Sequence, residues 1–495
     1  MRAIRFFGRS SNDRDTGKKR NRWAVVSLII LVAEILGVVS AVHAVMSART
    51  SQGSIAWTVS LITFPYVAVP AYWVFGRSQF NGYVDAHRIA DLATDRALQE
   101  AIRVGTQYIL EDPSRPSATR AAERMSRIPF LRGNKVELLI DGEATFQSIL
   151  DGMADAEEYI LFQFFIVKDD EIGRRIQQRL IEKAREGVRV YFLYDEVGSH
   201  ALPRRYKDEM REAGVAVYNF HTRQGPRNRF QINFRNHRKI VVVDGRAAWI
   251  GGHNVGDEYL GKDPKFGHWR DTHLRFDGPA AVAAQLSFVE DWNWATGSLP
   301  EVDWFPHPAP DGSDVPVLVI PTGPADEFET AALMFTHAIN SASERIWIAS
   351  PYFVPDEGIV AALQLAAMRG VDVRILLPDR PDHMLVWLAA FTYFDDALRA
   401  GVKFYKYTGG FLHQKVMLVD DLASAIGTAN FDNRSFRLNF EVTAVVSDDA
   451  FQAEVERMFE SDFAQSRVVG ADEYGAKPFW FKLAARLARL TAPVQ

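Results

Sequence analysis

NHRKIVVVDGRAAWIGGHN, Asn236–Asn254, reads as a buried strand that begins with a histidine and a lysine. His237 and Lys239 are two positions apart, so on a strand they share a face. Asp244 follows His237 at an odd offset, which turns it to the other face. It is therefore expected to fix the loop or brace the strand end. Gly251 and Asn254 close the stretch, and the small residue lets a backbone or ligand come close. The pattern returns as LHQKVMLVDDLASAIGTAN, Leu412–Asn430, with His413, Lys415, Asp420, Gly427 and Asn430 at the same offsets. A single copy reads as a core histidine beside a snorkelling lysine. Repetition at matched offsets favours a working pair.

Outward from each copy, strand and helix patterns alternate. YILFQFFIV, DDEIGRRIQQRLIEKAREG, VRVYFLYDE, PRRYKDEMREAG and VAVYNF precede the first copy. RIWIASPYFV, DEGIVAALQLAAMRG, VDVRILLP, a helix ending in DALRAG, and VKFYKY precede the second. This predicts an α/β fold with a mainly parallel sheet, built as two similar lobes related by a pseudo-twofold axis. The expected repeats span residues 134–300 and 317–470, joined by a proline-dense linker at 301–316.

The N-terminus is different in kind. Trp23 to Val45 and Ile55 to Phe75 are apolar runs of about twenty residues, each long enough to cross a bilayer as a helix. They predict a transmembrane hairpin over 23–76. Before it, residues 1–22 carry Arg2, Arg5, Arg9, Arg14, Lys18, Lys19, Arg20 and Arg22, whereas the connector from Met46 to Ser54 has only Arg49. Arg77 and Arg88 follow the second run. Positive charge stays on the cytoplasmic side, so both ends are expected there, with everything after Gly76 cytoplasmic and the protein multi-pass in its membrane. Residues 77–133 read as a helical juxtamembrane connector, and 471–495 as a basic amphipathic tail. KPFWFKLAARLARL within that tail suits either an interfacial helix or one packed on the catalytic domain.

Composition narrows the chemistry. The chain has 495 residues, enough for two or three sizeable cores. Net charge is −5, which does not advertise nucleic acid as a partner. Cysteine is absent, so disulfides and cysteine-based metal or redox sites are excluded.

Histidine beside lysine suits a phosphate. Lysine gives charge-assisted hydrogen bonds to a non-bridging oxygen, and histidine attacks phosphorus or moves a proton. Two copies brought together make one site in which one imidazole forms a phosphohistidine and the other protonates the leaving alcohol. Lysines and asparagines then stabilise charge growing on the equatorial oxygens. The arrangement requires no metal and no cofactor. Each histidine needs its second ring nitrogen held. Glu441 follows His413 by 441 − 413 = 28 residues, and Asp271 follows His237 by 271 − 237 = 34. Both carboxylates are expected to orient a histidine. His253, His268, His273 and His383 read as loop or core residues.

The two H-x-K-x4-D motifs, with RNHRKIVVVDGRAAWIGGHNVGDEYLG, KFGHWRDTHLRFDGPA, SPYFVPDE, GFLHQKVMLVD and GTANFDNRSFRLNFE, resemble the phospholipase D superfamily, and within it the bacterial cardiolipin synthases. GTAN stands where that family more often has GSAN, and FQFF where it usually shows tyrosines. The resemblance implies phosphatidyl transfer between two phosphatidylglycerol molecules in the bilayer, giving cardiolipin and glycerol. It also implies that His237 is the nucleophile and His413 the acid and base. The rivals are a phospholipase D using water, transfer to another alcohol, a nuclease, and an inert membrane scaffold.

Overall fold

The computed structural model describes residues 12–48, 50–76, 80, 83, 103, 105–110, 117–221 and 233–495. The expected basic segment before residue 12 and most of the expected connector between 77 and 116 lie outside the described residues. The chain divides into two compact units, one holding the N-terminal helices and a larger one formed by Phe80–Pro226 and Phe234–Gln495.

In the N-terminal unit, α1 (Asn12–Ser47) contains Trp23–Ser47, a stretch long and apolar enough to cross a membrane. The second apolar run differs from the single helix expected. It forms α2 (Ser51–Thr63) and α3 (Pro65–Phe75), broken at Phe64. The cause is Pro65, which lacks an N–H and disfavours helical geometry in the residue before it. Phe64 accordingly sits at φ −134°, ψ 58°. Thr50 caps α2 through the Gly53 N–H at 3.1 Å. Ala41, Ala44, Leu61, Ala68 and Tyr72 pack between these helices. Gly37 lets them close up, because a Cβ there would meet the Leu61 carbonyl oxygen at 2.5 Å.

The larger unit is mixed α/β around one continuous sheet. Its first strands are β1 (Leu131–Ile140), β2 (Tyr159–Phe164), β3 (Arg189–Asp195), β4 (Ala216–Phe220), β5 (Ile240–Val243), β6 (Ala247–Gly251) and β7 (Thr272–Asp277). The later ones are β8 (Val315–Thr322), β9 (Arg345–Ala349), β10 (Asp372–Pro378), β11 (Lys403–Tyr407), β12 (Val416–Val419), β13 (Ala423–Gly427), β14 (Asn439–Val446) and β15 (Ser466–Val468). Their order is β15-β11-β10-β9-β12-β13-β14-β8-β1-β7-β6-β5-β2-β3-β4. Outward from the central antiparallel β1–β8 pair, both halves run in the same order.

The sheet is not mainly parallel. Apart from the two-residue ladder of Arg235–Asn236 on β14, only β2–β3–β4 and β9–β10–β11 pair in parallel within it, the segments joined by helices. The centre is antiparallel because each repeated motif is a tight hairpin, β5–β6 and β12–β13. The helices are α4 (Ser117–Met125), α5 (Asp141–Ala154), α6 (Glu171–Arg185), α7 (Arg204–Glu212), α8 (Ala281–Thr296), α9 (Thr330–Ser341), α10 (Glu357–Met368), α11 (Met384–Ala400), α12 (Asp449–Ala464) and α13 (Phe479–Arg489). Aliphatic and aromatic side chains fill the space between these helices and the sheet, with Trp249, Tyr159, Phe162 and Phe192 fully buried.

Candidate active site

The two motif aspartates hold the hairpin turns. Asp244 and Asp420 adopt φ +53° and +46°, a left-handed conformation that aspartate tolerates when its side chain bonds locally. The Asp244 carboxylate accepts from the backbone N–H groups of Glu157, Glu158 and Tyr159 at 2.7–2.9 Å. Asp420 accepts from Ser343, Glu344 and Arg345 at 2.8–2.9 Å. Each therefore ties the far end of the motif strand to the start of its neighbour, β2 or β9, and stands apart from the imidazoles.

The histidines meet carboxylates from the opposite half of the chain. Arg235–Asn236 pairs in parallel with Asn439–Phe440, and Phe411–Leu412 pairs in parallel with Trp269–Arg270. The next residue in each register is a histidine facing a carboxylate. His237 Nδ1 lies 2.8 Å and 3.0 Å from the two Glu441 oxygens. His413 Nδ1 lies 2.7 Å from Asp271 Oδ2. The backbone seals both joints, with His237 N–H donating to the Phe440 carbonyl at 2.9 Å and His413 N–H to that of Arg270 at 2.8 Å. The offsets along the chain placed each carboxylate after its own motif; the fold crosses them.

These pairs fix the tautomer. An ionised carboxylate only accepts, so Nδ1 of each ring carries the hydrogen and a neutral ring keeps its lone pair on Nε2. Burial opposes the charge on Glu441, but His237 and Lys239 hold its pKa below the usual carboxylate range. Ser435 Oγ and Asn439 Nδ2 also donate to it, at 2.8 Å and 3.1 Å. The Thr272 N–H donates to Asp271 at 2.8 Å. Gly252 makes room for Asp271, since a Cβ there would collide with its carboxylate.

Aromatic rings wall both imidazoles. Phe165 stands edge-on to His237, with ring centres 5.1 Å apart. Trp269, Phe411 and Tyr259 surround His413 at 5.2–6.4 Å. Burial pushes His237 down to about 4 despite Glu441, and Lys239 adds to the depression. Burial and then Lys415 push His413 well below the ordinary imidazole value. Both shifts favour the neutral ring. Lys239 Nζ donates to the His237 carbonyl at 2.6 Å. Lys415 Nζ lies 2.9 Å and 3.1 Å from the two His413 ring nitrogens and donates to that residue's carbonyl. Burial lowers both lysines, Lys415 to about 8. Lys415 charge reaches His237, and Lys239 charge reaches His413, so all four groups share one electrostatic neighbourhood.

The asparagines differ. Asn254 has both ends of its amide engaged, accepting from the Ile166 N–H at 3.1 Å and donating to Tyr259 Oη at 3.0 Å. Asn430 Oδ1 is buried with no hydrogen-bond partner among the described residues.

Sequence reasoning missed the braces behind the histidines. Arg238 donates to Asp291 at 3.0 Å and to the Glu441 carbonyl at 3.0 Å. Arg270 and Gln414 both donate to Asp462 at 2.8 Å. One signal was available. The residue between histidine and lysine is polar in both motifs, Arg238 and Gln414, on strands otherwise apolar. His253 and His273 form a buried pair, Nδ1 to Nδ1 at 3.0 Å, whereas His383 is exposed.

Residues 149–264 and 335–463 match the family model described as "Cardiolipin synthase, PLD-like domain", and residues 35–77 match "Phospholipase_D-nuclease N-terminal". The chain is 48% identical over 485 residues to Cardiolipin synthase A of Pseudomonas aeruginosa (strain LESB58), covering 97% of this chain and 99% of that protein. It is 49% identical over 477 residues to Cardiolipin synthase A of Pseudomonas fluorescens (strain SBW25), covering 95% and 98%. A phosphatidylserine synthase of Haemophilus influenzae Rd KW20 shares the fold, with a TM-score of 0.54 at 16% identity over 77% of this chain and 100% of that one.

Proposed function

Because the chain belongs to the cardiolipin synthase family of phospholipase D-like proteins, we propose that it joins two phosphatidylglycerol molecules into cardiolipin and free glycerol through a phosphohistidine. The observation that carries this reading is the crossed pairing of His237 with Glu441 and His413 with Asp271. It favours one tautomer for both rings, which supports Nε2 as the reacting atom of each.

In the first step His237 Nε2 bonds to phosphorus, and the glycerol oxygen leaves with a proton from His413 Nε2. In the second, the glycerol hydroxyl of another phosphatidylglycerol gives its proton to His413. Its oxygen bonds to phosphorus and the bond to His237 breaks. The incoming phosphodiester is an anion, so it favours the protonated forms of His413 and both lysines, whose charge burial otherwise disfavours. Lys239, Lys415 and the Asn430 amide hold the non-bridging oxygens. Asn254 positions the Ile166 loop, and Asp244 and Asp420 keep the motif hairpins in register.

The identical strand order on either side of β1–β8 supports two repeats, 134–300 and 317–470 about the linker 301–316, related by a pseudo-twofold axis. The apolar α1 and the match at residues 35–77 support a membrane protein. We read α1 as one pass and α2–α3 as a second, interrupted at Pro65, with the catalytic unit on the cytoplasmic side of a bacterial inner membrane.

The test is purified, detergent-solubilised protein incubated with phosphatidylglycerol alone across pH. Equimolar cardiolipin and glycerol are expected; phosphatidic acid instead of cardiolipin would assign water as the acceptor. Free-enzyme kcat/KM needs neutral His237 and protonated His413. It should therefore rise through about pH 4 and fall on a limb that lies below the ordinary imidazole value, because burial and Lys415 hold His413 down.

A further inference from the structure

The tail helix α13 has two apolar faces, and the protein covers only one of them. Phe481 packs on α11, its ring centre 5.8 Å from that of Trp387 and 5.0 Å from that of Phe391. Ala485 and Ala488 on the same side are buried. On the other side Phe479, Trp480, Leu483, Leu487 and Leu490 are exposed, Trp480 at 74% and Leu490 at 76%. At about 100° per residue these five occupy one arc roughly 100° wide. Lys482, Arg486 and Arg489 fall together along one border of that arc. The Arg489 guanidinium is stacked 4.6 Å from the Tyr393 ring, and Lys482 Nζ donates to the Gly475 carbonyl at 2.6 Å. Arg486 is exposed.

α11, on which α13 packs, leads back to the site. Met384 and Leu385, in its first turn, are 58% and 57% exposed. They follow Asp382, whose carboxylate accepts from Tyr352 Oη at 2.6 Å and whose charge acts on both His413 and Lys415. One turn further on, Trp387 meets Phe481.

We propose that α13, with the first turn of α11, is an interfacial membrane-docking face that seats the catalytic unit on an anionic phospholipid bilayer. An apolar stripe carrying Trp and Phe, bordered by Lys and Arg, matches the boundary between acyl chains and anionic headgroups in both polarity and charge. This contact is made by the larger unit itself. It acts on the reaction by holding the mouth of the site where diacyl substrates lie. Only its kinetic consequence rests on the lipid-transfer reading; the contact itself does not.

The chain has no cysteine, so a single one can be labelled. Full-length Leu487→Cys carrying an environment-sensitive fluorophore is placed in nanodiscs of phosphatidylglycerol and phosphatidylcholine that contain doxyl-quencher lipids. Emission is expected to shift to the blue and to be quenched by half or more. The same label at Arg204→Cys, a side chain 93% exposed on α7, should remain unquenched. Solvent-like emission at 487, equal quenching at both positions, or burial that depends on protein concentration in quencher-free discs would overturn the proposal; the last assigns the face to a second copy. The combined variant Trp480→Glu, Leu483→Glu, Leu487→Glu should lose about tenfold or more of its rate on phosphatidylglycerol vesicles. It should keep its turnover on dispersed short-chain phosphatidylglycerol, and an equal loss on both substrates would also overturn the proposal.

Discussion

Replacing His237 with alanine is expected to lower cardiolipin formation by about 10⁴-fold or more, with the fold retained. Replacing His413 should cost about 10²–10⁴-fold, the usual contribution of a positioned proton donor. In the proposed reaction His237 bonds to phosphorus, so its loss leaves no intermediate. In the proposed reaction His413 supplies and retrieves one proton, so its loss leaves a slow reaction through water. Neither change should unfold the chain, because neither orphans a buried carboxylate. Glu441 keeps Ser435 and Asn439 as donors, and Asp271 keeps the Thr272 N–H. His383→Ala is the control, since that side chain is 71% exposed. Product formation followed by mass spectrometry, with circular dichroism on each variant, checks the set. Near-normal turnover in either histidine variant would remove that residue from the reaction.

The second large effect is on stability. Asp291 is fully buried and accepts from four groups: Gln163 and Asn236 at 2.7 Å, Tyr83 Oη at 2.9 Å and Arg238 at 3.0 Å. Arg238 is buried as well and finds its carboxylate in Asp291. Asp291→Ala leaves a guanidinium uncompensated in the interior, a change that typically costs about 3–5 kcal/mol. Asp291→Asn keeps an acceptor and should cost less. Denaturant midpoints of the detergent-solubilised protein measure both. An Asp291→Ala midpoint within about 1 kcal/mol of the parent would show that the network is not what holds this region together. Activity should fall too, because Asn236 and Arg238 flank His237.

Much of this site could be read before the fold was known. Matched offsets singled out both histidine–lysine pairs, and the odd spacing turned Asp244 and Asp420 to the other face, where a brace at the loop or strand end was expected. Their carboxylates bond strand N–H groups, as that spacing implies. The crossed pairing was not legible. Chain offsets of 28 and 34 residues measure contour length, whereas the partner is chosen by two short parallel ladders between distant segments. The central β1 and β8 strands went unread because LRGNKVELLI and VPVLVIPT mix polar residues, glycine and proline with apolar ones. The antiparallel centre followed from them and from hairpins whose tightness lies in the left-handed aspartates. Pro65 was visible, but the apolar run around it masked its effect on α2 and α3.

The central claim is that two imidazoles from opposite halves of the chain serve one phosphorus. The most direct measurement is a structure of the full-length protein with orthovanadate, which mimics a five-coordinate phosphoryl centre. We expect one vanadium, bonded to Nε2 of His237, with the opposite apical oxygen within hydrogen-bond distance of His413 Nε2 and the equatorial oxygens on Lys239 and Lys415. Vanadate bound at one histidine with the other turned away, or two vanadates in separate cavities, would contradict the account.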